Sequence, residues 1–400
     1  MALLSRRTAL LLGAAALTIP RIALAAAPTD RRFVLVILRG ALDGLAAVPP
    51  FFDPAYRSLR GALGPAEPGT KENAAIDLDG RFGLHPELGP IAPLFAAREL
   101  AIVHAVATSY RERSHFDAQN LLENGTTTPG GSAEGWLNRA LGLMASPDRR
   151  LGLAVGQTTP LVLRGATPVG AWAPQTMPEM NPDFLNLLAQ VYRGDKLFET
   201  ALADGLKSQA MADEVLGDEK MAAQGARGLR GPQAIKTTAS AVAKLLASPE
   251  GPRVAAIDIG GWDTHTGQNQ RLGQMLKALA EGLAALKEGL GPEWRRTLVV
   301  VTTEFGRTAA VNGTGGTDHG TASVALLLGG ALAGGRVLGT WPGLASNQLY
   351  QGRDLAPTTD LRAVLKAALT QHLGLPADGV ERVVFPNSRD ARALEALVRA

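Results

Sequence analysis

TLVVVTTEFGRTAAVNGTGGTDHG, residues Thr297–Gly320, is the stretch from which the fold is most directly inferred. It begins with a β-branched and apolar run that is typical of a strand buried on both faces, and Glu304 follows that run. A Gly- and Thr-rich loop then leads to Asp318 and His319. In open α/β sheets, ligands bind beyond the carboxyl ends of the strands, where loops can aim polar side chains. The stretch therefore predicts a buried strand that ends at a functional site.

Two further runs repeat this pattern. The apolar run Arg253–Ile259 is followed by a loop that contains Asp263 and His265, and Phe33–Leu38 is followed by a loop that contains Asp43. Because the carboxyl ends of parallel strands share one edge of a sheet, these side chains are expected to lie close together. The sequence therefore predicts one site built from several loops.

An amphipathic helix separates two of these strands. Asn269–Leu290 repeats leucines at three- and four-residue steps, and a strand, helix, strand order indicates a parallel crossover. The predicted fold is therefore a three-layer α/β/α sandwich with a mostly parallel central sheet. Other predicted strands are Leu100–Val106, Leu151–Val155, Leu161–Leu163, Ser323–Leu328 and Arg336–Leu338, and other predicted helices are Phe184–Val191, Leu197–Val215, Gln233–Ala247 and Asp360–Leu373.

Length and composition narrow the class of protein. A chain of 400 residues with 46% hydrophobic content can bury a large core. No long linker divides it, so we expect a single domain over residues 26–400 with a helical and loop insertion around 165–232. The chain has no cysteine, which excludes disulfides, thiolate chemistry and cysteine-ligated zinc.

The N-terminus has the pattern of an export signal. Arg6 and Arg7 precede the apolar segment Ala9–Ala25, which ends in an Ala-x-Ala cleavage pattern. Paired arginines predict a twin-arginine signal over residues 1–25 and a periplasmic or secreted protein. An ordinary secretory signal and an uncleaved anchor are the alternatives.

The positive charge of the chain belongs largely to this segment. Residues 1–25 contain Arg6, Arg7 and Arg21 and no acidic residue, so the net charge of +3 becomes 3 − 3 = 0 without them. We therefore expect no nucleic-acid partner. No other segment has the uninterrupted apolar length that a membrane span needs.

Ser114 is a candidate nucleophile. It stands before a predicted helix, where unpaired backbone N–H groups and the helix dipole favour an anion. The alternative is a helix N-cap, with Asp117 in a capping-box-like position. Arg39, Arg113 and Arg307 lie close in sequence to candidate site residues and have the fork geometry that matches phosphate or sulfate.

Asp263, His265 and His319 form a candidate metal-binding set. Imidazole and carboxylate ligands suit zinc, manganese or iron, and three protein ligands leave positions open for water or substrate. The alternative is a tight turn in which Asp263 caps a helix. His104 is expected in the core. His372 is expected at the surface or near a helix C-terminus, where it would compensate the helix dipole, whereas His85 and His115 receive no assignment. Oxygen ligands for a second ion, or for support of the first, are available at Asp43, Glu304 and Asp318.

These motifs, in this order, resemble the domain-of-unknown-function 1501 family. Members of that family are exported bacterial proteins grouped with the alkaline phosphatase and sulfatase superfamily, so the resemblance implies an alkaline phosphatase-like fold. The motifs are Leu38-Arg39-Gly40 with Asp43-Gly44, Gly83-Leu84-His85-Pro86, Arg113-Ser114-His115-Phe116-Asp117, Gly260-Gly261-Trp262-Asp263-Thr264-His265, Thr303-Glu304-Phe305-Gly306-Arg307-Thr308 and Gly316-Thr317-Asp318-His319-Gly320.

The resemblance also implies roles for individual residues. Asp43 is similar to an acid that binds one metal, and Ser114 to the nucleophile that bridges the metals. Glu304-Phe305 stands where the phosphatases have an adjacent Asp-His pair, so that histidine is absent. Either Asp318 takes the place of that histidine as a metal ligand, or only a single metal binds. Asp263, His265 and His319 resemble the ligands of the other metal.

The sequence thus predicts a hydrolase of phosphate or sulfate esters. Ser114 would attack a small anionic ester, and Arg113 or Arg307 would orient the anion. The cofactor would be one or two divalent ions, of zinc or manganese, with calcium or magnesium as alternatives. A non-catalytic exported protein that binds a partner or surface polymer is the competing hypothesis, and an iron-dependent oxidative enzyme is a third.

Overall fold

The computed structural model describes residues 29–69, 74–144, 151–156, 158–173, 181–216 and 232–399. The signal predicted at 1–25 lies outside these ranges, as do parts of the insertion predicted at 165–232. Within them, no helix combines the length and apolarity that crossing a membrane requires.

A nine-stranded, mostly parallel sheet forms the middle of the molecule, in the order β10-β4-β9-β8-β1-β7-β5-β6 with β11 also paired to β4, and β2 and β3 form a separate antiparallel pair. The strands are β1 Arg32–Arg39, β2 Ile76–Asp77, β3 Gly83–Leu84, β4 Leu100–Ala107, β5 Gly152–Val155, β6 Gly170–Trp172, β7 Val254–Gly260, β8 Thr297–Thr302, β9 Ser323–Leu328, β10 Arg336–Leu338 and β11 Thr359–Asp360. The α-helices are α1 Gly44–Ala47, α2 Tyr56–Arg60, α3 Pro93–Ala96, α4 His115–Asn124, α5 Trp136–Leu143, α6 Pro182–Val191, α7 Lys196–Leu216, α8 Pro232–Ala247, α9 Gln268–Leu290, α10 Leu361–Ala367 and α11 Ala377–Gly379.

Helices cover both faces of the sheet. Side chains alternate between the two faces of a strand, so Val34, Val36 and Leu38 of β1 join the core cluster that includes residues of α8 and α9. The intervening Phe33 and Ile37 join a second cluster with residues of α5 and α10. The predicted three-layer α/β/α fold is therefore confirmed.

Strand direction brings five loops to one edge of the sheet. β1 is parallel to β7 and β8. β9 is antiparallel to β4 and to β8, so β4 runs with the other strands. The segments that follow β1, β4, β7 and β8 therefore meet the segment that precedes β9.

Two local predictions were wrong. Leu161–Leu163 forms a 3₁₀-helix rather than a strand, because it follows Pro160 and buries two neighbouring apolar side chains. A short apolar run in a sequence fits a strand and a buried helical turn equally well, so the pattern alone does not tell them apart. Gly170–Trp172, which falls within the helical and loop insertion predicted around 165–232, is β6, because it pairs in parallel with β5. β6 therefore extends the sheet into the region assigned to an insertion.

Candidate metal centre

His115, Asp263 and His319 approach one another at this edge of the sheet. Their ligand atoms all lie within 4.8 Å of one another. The Nε2 atoms of His115 and His319 are 3.0 Å apart. Asp263 places Oδ1 3.3 Å from His319 Nε2 and Oδ2 3.6 Å from His115 Nε2. His265 adjoins this group, with its Nε2 3.0 Å from His319 Nε2 and 3.0 Å from Asp263 Oδ1.

The Nδ1 atoms, which face away from the cluster, define the tautomers of these histidines. His115 Nδ1 is 2.7 Å from Glu304 Oε1, and His319 Nδ1 is 3.0 Å from the carbonyl oxygen of Arg113. His265 Nδ1 is 3.2 Å from Asp318 Oδ1. Carbonyl and carboxylate oxygens accept hydrogen bonds, so each Nδ1 is the donor. In a neutral imidazole, Nε2 then carries a lone pair, and these lone pairs face one another.

The arrangement fits a divalent ion. Tetrahedral zinc with bonds of about 2.0–2.1 Å keeps neighbouring ligand atoms about 3.3 Å apart. The Nε2 atoms of His115 and His319 are 3.0 Å apart, and Asp263 places one oxygen 3.3 Å from His319 and the other 3.6 Å from His115. With one ligand atom taken from each residue, all three separations are within 4.8 Å. Histidines that donate their second ring nitrogen to a carboxylate or carbonyl are the usual metal-binding arrangement.

Glu304 supports His115 rather than facing the cluster itself. It follows β8 with a fully buried side chain, and its Oε1 accepts hydrogen bonds from Gly40 N at 2.8 Å and Gln119 Nε2 at 2.9 Å. Burial raises the pKa of Glu304, but the hydrogen bonds from His115 and Gln119 outweigh it, so the pKa lies below the ordinary value. Glu304 is therefore an anion that orients His115.

Arg307 orients Asp263. Its side chain is fully buried, with Nη1 2.6 Å from Asp263 Oδ1 and Nε 3.2 Å from Thr317 Oγ1. Burial raises the pKa of Asp263, but the hydrogen bond and charge of Arg307 outweigh it and hold the pKa below its ordinary value. Arg307 thus contacts a protein carboxylate, not an open position for a substrate anion.

The imidazoles of the cluster differ in proton affinity. The hydrogen bond to Glu304 raises the pKa of His115 above its ordinary value, against the effect of burial. Burial, followed by the nearby His115, lowers the pKa of His319. The hydrogen bond from Asn312 lowers the pKa of Asp318, which bonds His265. Of His115 and His319, His319 is therefore the imidazole more readily kept neutral.

Asp43 lies outside the cluster, although the sequence assigns it to a metal. It caps α1, where its Oδ1 accepts a hydrogen bond from Ala46 N at 3.1 Å. Its Oδ2 accepts hydrogen bonds from the buried Arg60 guanidinium and from Gln268 Nε2. Both carboxylate oxygens are thus bound by protein donors, so the expected metal role is replaced by a buried ion pair.

Ser114 stands between two residues that contact the cluster, Arg113 and His115. It precedes α4, and its side chain makes no capping hydrogen bond. The Tyr110 hydroxyl interacts with Ser114 and bonds Asp117 Oδ2 at 3.1 Å. The Arg113 guanidinium pairs with the buried Asp354 at 2.8 Å, so Arg113 reaches the cluster through its carbonyl oxygen.

The remaining expectations had mixed outcomes. His104 is a buried core residue, as expected, with Nε2 3.0 Å from Val48 O. His372 was expected at the surface or near a helix end. It lies in the last turn of the helical segment Ala368–His372, but it is buried with Nε2 2.8 Å from Arg32 O, because the chain beyond α10 packs on the sheet. The available signal for His115 was its place at the start of a predicted helix, directly after Ser114. Phe305, where the resemblance expects histidine, packs on His115 with ring centres 4.8 Å apart.

A mostly parallel sheet, covered on both faces and carrying histidines and acids at one edge, defines an α/β protein with a candidate metal centre. The chain belongs to the family described as a protein of unknown function (DUF1501), whose model matches residues 102–384.

Solved structures that align with this chain include a sulfatase, an alkaline phosphatase and a phosphonate monoester hydrolase. A 2-O GAG sulfatase is 10% identical with a TM-score of 0.43, covering 92% of this chain and 76% of that chain. The TAB5 alkaline phosphatase is 12% identical with a TM-score of 0.35, covering 74% and 90%. The phosphonate monoester hydrolase of Agrobacterium radiobacter is 13% identical with a TM-score of 0.35, covering 92% and 79%. A comparison with curated protein sequences finds no match.

Proposed function

We propose that this protein is an exported, metal-dependent hydrolase of phosphate or sulfate esters, with Ser114 as the nucleophile. The observation that carries the proposal is the approach of His115, His319 and Asp263 to one another. Ser114 is adjacent in sequence to His115 and to Arg113, whose carbonyl oxygen bonds His319.

The protein ligands for a divalent ion, zinc or manganese by preference, would be His115, His319 and Asp263, with His265 beside them. A bound divalent ion supplies positive charge that stabilises an anionic substrate and favours ionisation of a nearby hydroxyl. Arg307 contributes by holding the Asp263 carboxylate with a hydrogen bond. Arg113 contributes through its backbone carbonyl oxygen, which accepts a hydrogen bond from His319 Nδ1. Both arginines thus act on protein ligands in this mechanism.

Ser114 has a route for its proton. Ser114 interacts with the Tyr110 hydroxyl, which lies 3.1 Å from Asp117 Oδ2. As Ser114 Oγ bonds to phosphorus or sulfur, the ester oxygen leaves with the electrons of the broken bond. The serine proton passes to Tyr110, and the Tyr110 proton passes to the Asp117 carboxylate. Asp117 then releases a proton to solvent, and the departing ester oxygen takes up a proton from solvent to become the alcohol. Water then cleaves the serine ester, which releases phosphate or sulfate and restores the serine hydroxyl.

The mature protein, loaded with zinc or manganese, should hydrolyse aryl phosphate or aryl sulfate esters. Ser114→Ala should abolish turnover while the metal content stays unchanged. Ser109→Ala is a matched control, because Ser109 lies in the same loop and its buried hydroxyl has no hydrogen-bond partner. Full activity of the Ser114→Ala protein would refute the role of nucleophile.

A second candidate function is metal-dependent binding of an anionic surface polymer without catalysis. The ion pair of Asp43 with Arg60 favours it, because an acid that a two-metal hydrolase would use is bound by protein donors. Metal-loaded protein that retains sulfated or phosphorylated polysaccharide, but turns over no ester, would support this function.

A further inference from the structure

We infer that the centre binds one divalent ion, with His115 as a ligand, and that the Arg60 guanidinium provides beside Asp43 the positive charge that a second ion would provide. This inference rests on the metal dependence proposed above and specifies its stoichiometry. It also explains how the protein manages without a histidine at Phe305.

His115 takes part in the cluster in the way a ligand does. Its Nε2 lies 3.0 Å from His319 Nε2, and its Nδ1 donates to Glu304, whose side chain is fully buried. Phe305 packs on both rings, with centres 4.8 Å from His115 and 5.2 Å from His319. Phe305 therefore fixes the plane of an imidazole that is supplied by the first residue of α4.

The position beside Asp43 already contains a permanent cation. Arg60 is fully buried and bonds Asp43 Oδ2. Its Nη1 donates to the carbonyl oxygens of Thr308 at 3.1 Å and Ala309 at 3.3 Å, which fixes the guanidinium in place. Because arginine stays protonated in proteins, the charge of Asp43 is neutralised without a metal.

Gln268 closes the same position from the other side. Its Nε2 donates to Asp43, while its Oε1 accepts hydrogen bonds from Thr264 Oγ1 at 3.1 Å and Thr317 Oγ1 at 2.6 Å. The amide is thereby held with its donor group toward the carboxylate. A donor facing Asp43 repels a second cation.

The other acids assigned to a second ion are also bound by donors. Glu304 Oε1 accepts from Gly40, His115 and Gln119, and Oε2 accepts from Thr303 Oγ1 at 3.0 Å. Asp318 Oδ1 lies 3.1 Å from Asn312 Nδ2 and 3.2 Å from His265 Nδ1. Among the described residues, the group within mutual reach of an ion is that of His115, Asp263 and His319.

The test is a metal titration of the metal-free mature protein with Zn²⁺ and with Co²⁺. Bound metal is measured by elemental analysis after desalting, and the Co²⁺ absorption spectrum reports the ligands. We expect the wild type to bind one equivalent of metal. His115→Ala should lose more than about 100-fold in metal affinity, and its loss should be at least as large as that of His265→Ala. Two equivalents in the wild type, or an unchanged affinity in His115→Ala, would overturn the inference.

Asp43 provides the control. Because Asp43→Asn alone leaves Arg60 buried without its partner, the double variant Asp43→Asn, Arg60→Met is measured with it. We expect the double variant to keep one equivalent, and loss of an equivalent would assign a metal to Asp43. Two equivalents with ester turnover would refute this inference and leave the proposed function standing. One equivalent of bound metal without ester turnover would support this inference and refute the proposed function.

Discussion

His115 Nε2 lies 3.0 Å from His319 Nε2, although the Nδ1 atom of each ring faces an oxygen that can only accept a hydrogen bond. When both imidazoles are neutral, their Nε2 atoms direct lone pairs at one another, and lone pairs at this distance repel unless a proton or a metal cation lies between them. Glu304 and the Arg113 carbonyl hold the rings against that repulsion. The cluster is thus preorganised for a positive ion.

The first prediction concerns stability. Zn²⁺ added to the metal-free protein at about 100 times its dissociation constant should raise the free energy of unfolding by about 2.7 kcal/mol, because the unfolded chain lacks the assembled site. Thermal unfolding with and without metal measures this. His319→Ala should lose most of the increase, and an equal increase in that variant would place the metal elsewhere.

The second prediction separates two supporting acids. Glu304→Gln should weaken metal affinity by about 10- to 100-fold, because a buried carboxylate that holds His115 is replaced by a neutral amide. Asp318→Asn is the matched comparison, since Asp318 holds His265 in the same way but its side chain is 52% exposed. Its effect should be smaller. Isothermal titration with Zn²⁺ measures both affinities. A larger loss of Zn²⁺ affinity in Asp318→Asn than in Glu304→Gln would contradict the prediction.

The sequence predicted most of this sheet and much of this site. β1 and β8 were recognised because they are continuous apolar runs, and the loops after them carry acids. The antiparallel direction of β9, which brings His319 to the same edge, depends on pairing with β4 and β8 and leaves no local pattern. The sequence could therefore name His319, but not the reason for its position.

Partners that are distant in the chain explain the remaining differences. His115 becomes a candidate ligand through Glu304, which is 189 residues away. Asp43 was assigned to a metal through the family resemblance, and only the fold shows that Arg60 and Gln268 both donate hydrogen bonds to its Oδ2. No spacing rule connects these residues.

The third prediction tests the contact between two loops of the site. Gly40 has φ +118°, and a Cβ atom there would lie 2.6 Å from the backbone nitrogen of Asp263. Gly40→Ala should therefore destabilise the fold by about 1–3 kcal/mol and weaken metal binding by displacing Asp263. Gly260→Ala is the control, because a Cβ atom there meets nothing within 4 Å. Equal stability and affinity in both variants, measured by urea unfolding and metal titration, would refute the contact.

The fourth prediction concerns the pair of Asp43 and Arg60. Asp43→Asn and Arg60→Met should each cost about 3–5 kcal/mol of unfolding free energy, because each leaves the partner charge buried and uncompensated. The double variant should cost less than the sum of the single variants. Urea denaturation of the four proteins gives the coupling energy. Additive effects would show that the two charges do not depend on each other.

The last prediction concerns pH. Burial lowers the pKa of His372 to about 4, and its Nε2 donates a hydrogen bond to Arg32 O. An unfolded histidine titrates near 6.5, so between pH 6.5 and 4 the unfolded chain binds a proton that the folded protein does not. The contribution of His372 to stability is therefore complete above about pH 6.5 and falls as the pH decreases toward 4, by about 3 kcal/mol in total.

His372→Gln keeps a donor for Arg32 O and removes the titration. Unfolding free energies of the metal-free variant should therefore decline less between pH 6.5 and 4 than those of the metal-free wild type, while the two proteins change in parallel above pH 7. Both proteins retain the histidines of the cluster, so protonation there cancels in the comparison. If the unfolding free energies of the two proteins stay parallel down to pH 4, the pKa of His372 is not lowered in the folded protein.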